Sequence, residues 1–339
     1  MSNDISFINR LTSAENMGAI EKGDLTEVIP EQINKSSAYK SPYKLHFNFK
    51  WSDLVRRYEQ PLHSLVEKEA NPQYFTNEKS WYNPSVYKSH PEAGTLSWGP
   101  EPNHYLLPEM QDNDKRKAQR LVAVAASMIG YGYRHHHIPD WNPDQEWYDK
   151  NSPSYSSTLS KHVGKGLDCS NYTSWLYNYG LGIYLNTNIK KRQEKKGQGE
   201  MIEVKDSAGN MYKVTRVAQA KDDYATLCSK LQTGDLLYIA GDPKLSKADI
   251  QNQLKSTSPS ITHVIMWLGD VSVSTNNIPL ITDSYGSELR DENNVQIPTG
   301  IQVRPFNDAT VSSKTPTDKS SQSWYFDHFV WALRILPTL

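Results

Sequence analysis

Leu167-Asp168-Cys169-Ser170-Asn171-Tyr172-Thr173-Ser174-Trp175-Leu176-Tyr177-Asn178-Tyr179-Gly180 is the stretch on which the fold turns. A polar run ends at Gly164-Lys165-Gly166, and an aromatic-rich helix begins at the cysteine. Gly180 is expected to stop it after about three turns. A thiol at a helix N-terminus meets the positive end of the macrodipole and backbone N–H groups without helical partners. Both favour the thiolate, the reactive form. Cys169 is therefore read as a nucleophile. Asp168 and Ser170 beside it also suit simple helix capping.

Upstream, Ala118, Leu121, Val122, Ala125, Met128 and Ile129 recur at helical spacing, with Asp114 as cap and Gly130 as stop. Tyr131-Gly132-Tyr133-Arg134-His135-His136-His137 follows. Three consecutive histidines cannot all face one ion from a single extended segment, so no metal site is expected. No cofactor is called for either. Residues 1–110 read differently from the rest. The first 38 are polar and weakly periodic. Asp53–Tyr58 suits a short helix ended by Pro61, and residues 71–108 are proline-rich. This is a loop-rich accessory region, serving as a targeting module, a lid or a collar. Residues 111–339 are taken as the main domain.

Downstream, residues 186–218 form a charged insertion, with Ser207-Ala208-Gly209-Asn210 as the turn of a hairpin. A short helix over Tyr224–Leu231 leads through Thr233-Gly234-Asp235 to the strand Leu236–Ala240. Residues 243–260 read as a polar loop. Apolar runs at His263–Leu268, Pro279–Ser284, Ile301–Phe306 and Phe329–Leu336 supply further strands. Helices first and strands after predict an α+β fold, with helices packed on an antiparallel sheet.

Bulk properties remove whole classes of function. Lys+Arg at 37 against Asp+Glu at 38 gives no field to attract nucleic acid. No apolar run is long enough for a membrane span. A mean hydropathy of -0.69 fits a modest core with long solvated loops. With 20 Tyr and 9 Trp against 7 Phe, the aromatics suit half-exposed cleft walls as well as core packing. The two cysteines, Cys169 and Cys228, exclude a disulfide scaffold and a cysteine-based zinc site. A bridge between them would abolish the nucleophile. Met1-Ser2-Asn3-Asp4-Ile5-Ser6 lacks the build of a signal peptide. Either the chain stays in the cytoplasm, or it is secreted or periplasmic with its signal already removed.

A cysteine nucleophile needs a base in hydrogen-bond reach and a third polar group to fix that base. Among 10 histidines, His263 is best placed, because it opens an apolar strand that would hold it rigidly. Alternation puts His263, Ile265 and Trp267 on one face. A half-buried histidine packed at a strand end is the plainer reading.

Four motifs in order give a more specific signal. They are Met128–Tyr133, Leu167-Asp168-Cys169-Ser170, Leu231–Leu237 and His263–Gly269. Together with the closing Phe329–Ile335 strand, they resemble the NlpC family of bacterial cell-wall cysteine peptidases, compact relatives of the papain-like superfamily. The resemblance covers roughly residues 112–336 and implies a papain-like α+β fold. It also implies a Cys–His pair supported by a polar residue on the next strand. Asp283 best fits that third catalytic position, although the family more often has histidine or a neutral polar residue there. A one-residue slip would nominate Thr282 or Ser284. By the same resemblance, Tyr133, Asp168 and Ser170 contact the substrate. The oxyanion would be held by the Cys169 N–H with help from the Tyr133 hydroxyl. The implied partner is a peptidoglycan stem peptide, cut at the bond joining D-glutamate through its side chain to the next diamino acid.

Two departures stand against the family pattern. Asn171 occupies a position where glycine is usual, and Arg134–His137 replaces a glycine-rich loop. Two competing readings follow. One is a deamidase, acyltransferase or other amidase acting outside the cell wall, as a secreted toxin or effector. The other is a binding protein on an inactivated peptidase scaffold.

Overall fold

Six apolar strands with alternating side chains build the centre of the molecule. The computed structural model describes residues 24–25, 43–46, 102, 104, 114–139, 164–187, 203–255, 259–269, 272–273, 278–287, 289–291, 293–308 and 323–337. Short N-terminal strands β1 (Asp24–Leu25) and β2 (Lys44–His46) come first, followed by helix α1 (Asp114–Ser127). Strands β3 (Gly132–Tyr133) and β4 (Gly166–Leu167) then lead into helix α2 (Cys169–Leu181). A hairpin, β5 (Glu203–Lys205) and β6 (Met211–Lys213), precedes β7 (Thr215–Gln219), α3 (Tyr224–Lys230) and β8 (Leu236–Ala240). Next are α4 (Lys247–Gln253), β9 (Ile261–Trp267), β10 (Ser272–Val273) and β11 (Leu280–Tyr285). The chain ends with β12 (Leu289–Arg290), β13 (Gln296–Ile297), β14 (Gly300–Pro305), α5 (Trp324–Asp327) and β15 (Phe329–Arg334).

The main sheet has the order β14-β11-β9-β8-β15-β7, and every neighbouring pair is antiparallel. Helices on an antiparallel sheet match the expected α+β class. Period-2 alternation divides the side chains between two cores. Leu236, Tyr238, Val264, Met266, Ile301 and Val303 pack with α1 and α2. Leu237, Ile239, Ile265 and Trp267 pack with Leu227 of α3 and with Trp324, Tyr325 and Phe326 of α5.

Helix α2 is buried almost all round although much of it is polar. Burial on those terms requires each hydroxyl to find a partner. Tyr172 Oη lies 2.9 Å from Thr282 Oγ1 on β11, and Tyr177 Oη donates to Gly234 O at 2.7 Å. Ser174 Oγ donates to Leu185 O at 3.0 Å. The helix therefore has one seat on the sheet. It runs past the expected stop at Gly180 and ends at Gly182, which takes the left-handed conformation (φ 64°) and donates to Asn178 O at 2.8 Å. Gly180 lies within the helix, and the terminating geometry belongs to the glycine after Leu181.

Other expectations shift in detail. Asp114 is the first helical residue of α1, not a residue preceding it. The stretch 243–260 is not all loop, since α4 forms there behind a reciprocal capping box between Ser246 and Asp249. β7 begins inside the stretch 186–218 and forms one edge of the main sheet. The turn before β8 is held by Asp235, which takes both Nε (2.9 Å) and Nη2 (2.7 Å) of Arg334 from β15. Residues 43–46 join the domain through β2, which pairs with β10, and Tyr43 is buried against the α1–α2 core. His104 Nε2 donates to Gly182 O at 2.8 Å. The helix expected over Asp53–Tyr58 lies outside the described residues, as does most of 71–108. Among the described residues no helix is long and apolar enough to cross a membrane.

Candidate active site

Three separate contacts fix Cys169 at the start of α2. The parallel pairing of β3 with β4 sets Tyr133 against Leu167, two residues before the cysteine. That pairing demands a glycine at 166, because a Cβ there would lie 2.0 Å from Gly132 O. From the sheet side, Ser284 Oγ donates to Leu167 O at 2.6 Å. Finally, Asp168 caps the helix. Its Oδ1 accepts from Ser170 N (3.0 Å), Ser170 Oγ (3.0 Å) and Asn171 N (2.9 Å). Its Oδ2 accepts from Asn171 Nδ2 at 2.8 Å. Asn171 is buried and turned back onto Asp168, so its side chain completes the cap. Cys169 and Cys228 are both free thiols.

His263 comes from β9. An irregularity in the β8–β9 register makes Ala240 face Ile261 and Ile239 face His263, leaving Thr262 as the extra residue. Such a bulge reverses the alternation and re-aims the next side chain. Ile261 therefore lies in the α1–α2 core, whereas His263 joins the face of Ile265 and Trp267, as alternation from His263 onward predicts. The bulge also carries Thr262 O to 3.9 Å from Cys169 Sγ. The His263 ring stacks 5.7 Å from Tyr325 and lies 4.8 Å from Tyr285.

His263 Nε2 donates to Asp283 Oδ2 at 2.8 Å, and the charge of Cys169 acts on the same ring. With Nε2 committed to Asp283, Nδ1 is the nitrogen left to take a proton. Asp283 is fully buried and central to its own network. Its Oδ1 accepts from Arg304 Nε at 2.6 Å, and its Oδ2 also accepts the Tyr325 hydroxyl. The neighbours Thr282 and Ser284 point the other way, to Tyr172 and Leu167, so it is Asp283 that meets the imidazole.

Burial alone would lower the pKa of His263. The negative charge of Cys169 and the hydrogen bond donated to Asp283 outweigh it and raise the value to about 9. Burial pushes the Asp283 pKa up, but Arg304 and His263 overcome this and hold the carboxyl below its usual range. Tyr133 is half-buried, with its ring edge-on to His135 at 5.6 Å. A Cβ added at Gly286 would lie 3.1 Å from Tyr133 Cδ1, which puts the ring against the end of β11. Burial, then the charges of Cys169 and Asp168, raise its pKa far above the usual value, so the phenol is a neutral donor.

All six residues singled out from the sequence thus gather around the N-terminus of α2. Sequence reasoning missed Arg304, Tyr325 and Tyr285. Arg304 carried a readable signal, since it is a lone charge between Val303 and Phe306 on a buried strand. Nothing marked Tyr325, which sits in a four-residue helix after a polar stretch. Among the described residues, no group of three His, Cys, Asp or Glu side chains comes together to hold a metal ion.

No protein-family model matches the chain, and no curated protein matches it significantly. Among solved structures, it is similar to an NlpC/P60 family protein from Bacillus cereus ATCC 10987. The identity is 18%, the TM-score is 0.28, and the match covers 65% of this chain and 40% of that one. The chain therefore spans less than half the length of that protein, and so loose an overlap says nothing of its activity.

Proposed function

We propose that the protein is a papain-like cysteine peptidase that hydrolyses an amide bond through Cys169, His263 and Asp283. The supporting observation is the buried His263–Asp283 pair, with the charge of Cys169 acting on the same imidazole. A His263 more basic than usual favours moving the thiol proton onto the ring. The resulting thiolate attacks the carbonyl carbon, and the C–N bond breaks as His263 protonates the leaving amine. Water then attacks the thioester with His263 as base, which releases the acid and returns the thiol. The oxyanion would meet the Cys169 N–H, which has no partner within α2, and the Tyr133 hydroxyl. Asp283 orients the ring and keeps its tautomer.

For substrate, the order and content of the sequence motifs favour a peptidoglycan stem peptide, cut between D-glutamate and the diamino acid. Tyr133, Asp168 and Ser170 would be its contacts, with Asp168 supplying negative charge for a free ammonium. Digesting purified muropeptides with wild type and Cys169→Ala, followed by mass spectrometry, tests this. The expected result is a fragment made only by wild type. No such fragment removes the cell-wall assignment.

One observation favours a second substrate class. Asp168 already accepts hydrogen bonds at both oxygens from Ser170 and Asn171, which reduces what it can offer an ammonium. The same Cys–His chemistry would then act on another amide or thioester, as a deamidase or acyltransferase of a secreted effector. An activity-based thiol probe labels Cys169 under both readings, and muropeptide cleavage separates them.

A further inference from the structure

Arg304 carries the next step. Its side chain is fully buried, and its guanidinium is spread over three acceptors. Nε donates to Asp283 Oδ1 at 2.6 Å, and Nη2 donates to Pro298 O and Gly300 O, each at 3.0 Å. β14 pairs with β11 so that Asp283 faces Gln302, and Arg304 reaches Asp283 diagonally from two residues along. Asp283 therefore commits one oxygen to a cation and divides the other between His263 and Tyr325.

We infer that Arg304 is a positioning residue of this site, cancelling the charge of Asp283 so that the third position acts on His263 as a neutral acceptor. The inference rests on the Cys–His reading above. It follows from a count of buried charge. Thiolate, imidazolium, carboxylate and guanidinium sum to zero when all four are present. Without Arg304, the site would hold one excess negative charge where water cannot screen it. The imidazolium would keep its proton too tightly to give it to a leaving amine. The phenols of Tyr285 and Tyr325 lie against the ring, and that of Tyr133 lies near Cys169; all three are held protonated by burial, so Arg304 is the group that sets the balance.

A double-substitution cycle tests the inference. The alkylation rate of Cys169 by iodoacetamide, followed at the peptide level from about pH 5 to about pH 10, reports on the thiol without needing a substrate. Asp283→Asn strands a buried guanidinium beside the imidazole and should slow the rate near neutral pH by about tenfold or more. Arg304→Gln should move the alkaline limb of the profile upward, because the carboxylate then acts on His263 uncancelled. The pair Asp283→Asn/Arg304→Gln should recover to within about threefold of wild type. A double variant as slow as Asp283→Asn, or a limb that moves down in Arg304→Gln, overturns the inference. If either glutamine variant fails to melt cooperatively, Arg304→Lys decides, since it keeps the charge and loses the fork. A wild-type profile is then expected, and a limb displaced by more than about one pH unit overturns the proposal. A protein that cuts no muropeptide yet shows this pattern loses only its substrate assignment. Loss of all dependence on His263 removes the peptidase reading as well.

Discussion

Asp283 and His263 tie the chemistry of the site to the stability of the fold. The folded pKa of His263, about 9, lies above its ordinary 6.5. Its contribution is therefore fully present below the ordinary value and is lost as pH rises through about 9. Asp283 is shifted the other way, so its contribution is present above the ordinary carboxylate range and is lost as pH falls through its folded value. A plot of Tm against pH should show a plateau bounded by an alkaline fall that begins near pH 6.5 and is complete by about pH 9, and His263→Gln should flatten that fall. An unchanged alkaline limb in His263→Gln would separate the histidine from stability. At this scale, Cys169 and His263 could be read from the sequence because Cys169 opens a helix and His263 heads an apolar run, although β9 itself starts two residues earlier at Ile261. Tyr325 could not, and the lone charge of Arg304 did not name its partner, because what makes both important is a shared contact on Asp283. That contact exists only once β11, β14 and α5 have been brought together.

Helix α2 is set by its first turn. Asp168 serves as N-cap through Ser170 N and Asn171 N, and Asn171 returns a side-chain hydrogen bond to it. Two substitutions separate capping from substrate binding. Asp168→Ala should destabilise the protein by about 1–2 kcal/mol, read as a fall in urea midpoint, because it leaves helix donors without an acceptor. Asp168→Asn keeps an acceptor and should melt close to wild type. If Asp168 also pairs with a substrate ammonium, Asp168→Asn should raise KM by about tenfold with little change in kcat. An unchanged KM would leave Asp168 as a cap alone. Elements differed in how legible they were. The cap was written in the sequence as Asp168 before a helical run, and the strands as apolar stretches between turns. Ser246 and Asp249 also spelled out a helix start, which was obscured by the prolines and serines around it. The bulge at Thr262 lies against Gly241, where a Cβ would be 1.9 Å from Thr262 Oγ1, a match that only the paired strands reveal, yet it decides which face His263 occupies.

The whole molecule acts as a clamp between two packed layers. Helix α2 belongs to one core, and the ring of His263 lies on the side of the other. The two sides approach each other at Thr262, whose O lies 3.9 Å from Cys169 Sγ. The α+β architecture was legible from helices followed by strands, because periodicity survives in a single chain. The arrangement of residues 1–110 was not, since their prolines and aromatics carry no period to place them. The central claim is that this assembly, and not the thiol by itself, makes Cys169 reactive. Cys228 is an internal control, half-buried on the other core, where burial pushes its pKa up to about 11. The direct measurement is the ratio of Cys169 to Cys228 carbamidomethylation at about pH 6, resolved by peptide mass spectrometry in wild type and His263→Ala. The account predicts that Cys169 reacts at least about tenfold faster in wild type and that His263→Ala removes most of that advantage. Equal rates in wild type, or an advantage that survives the loss of His263, would contradict it.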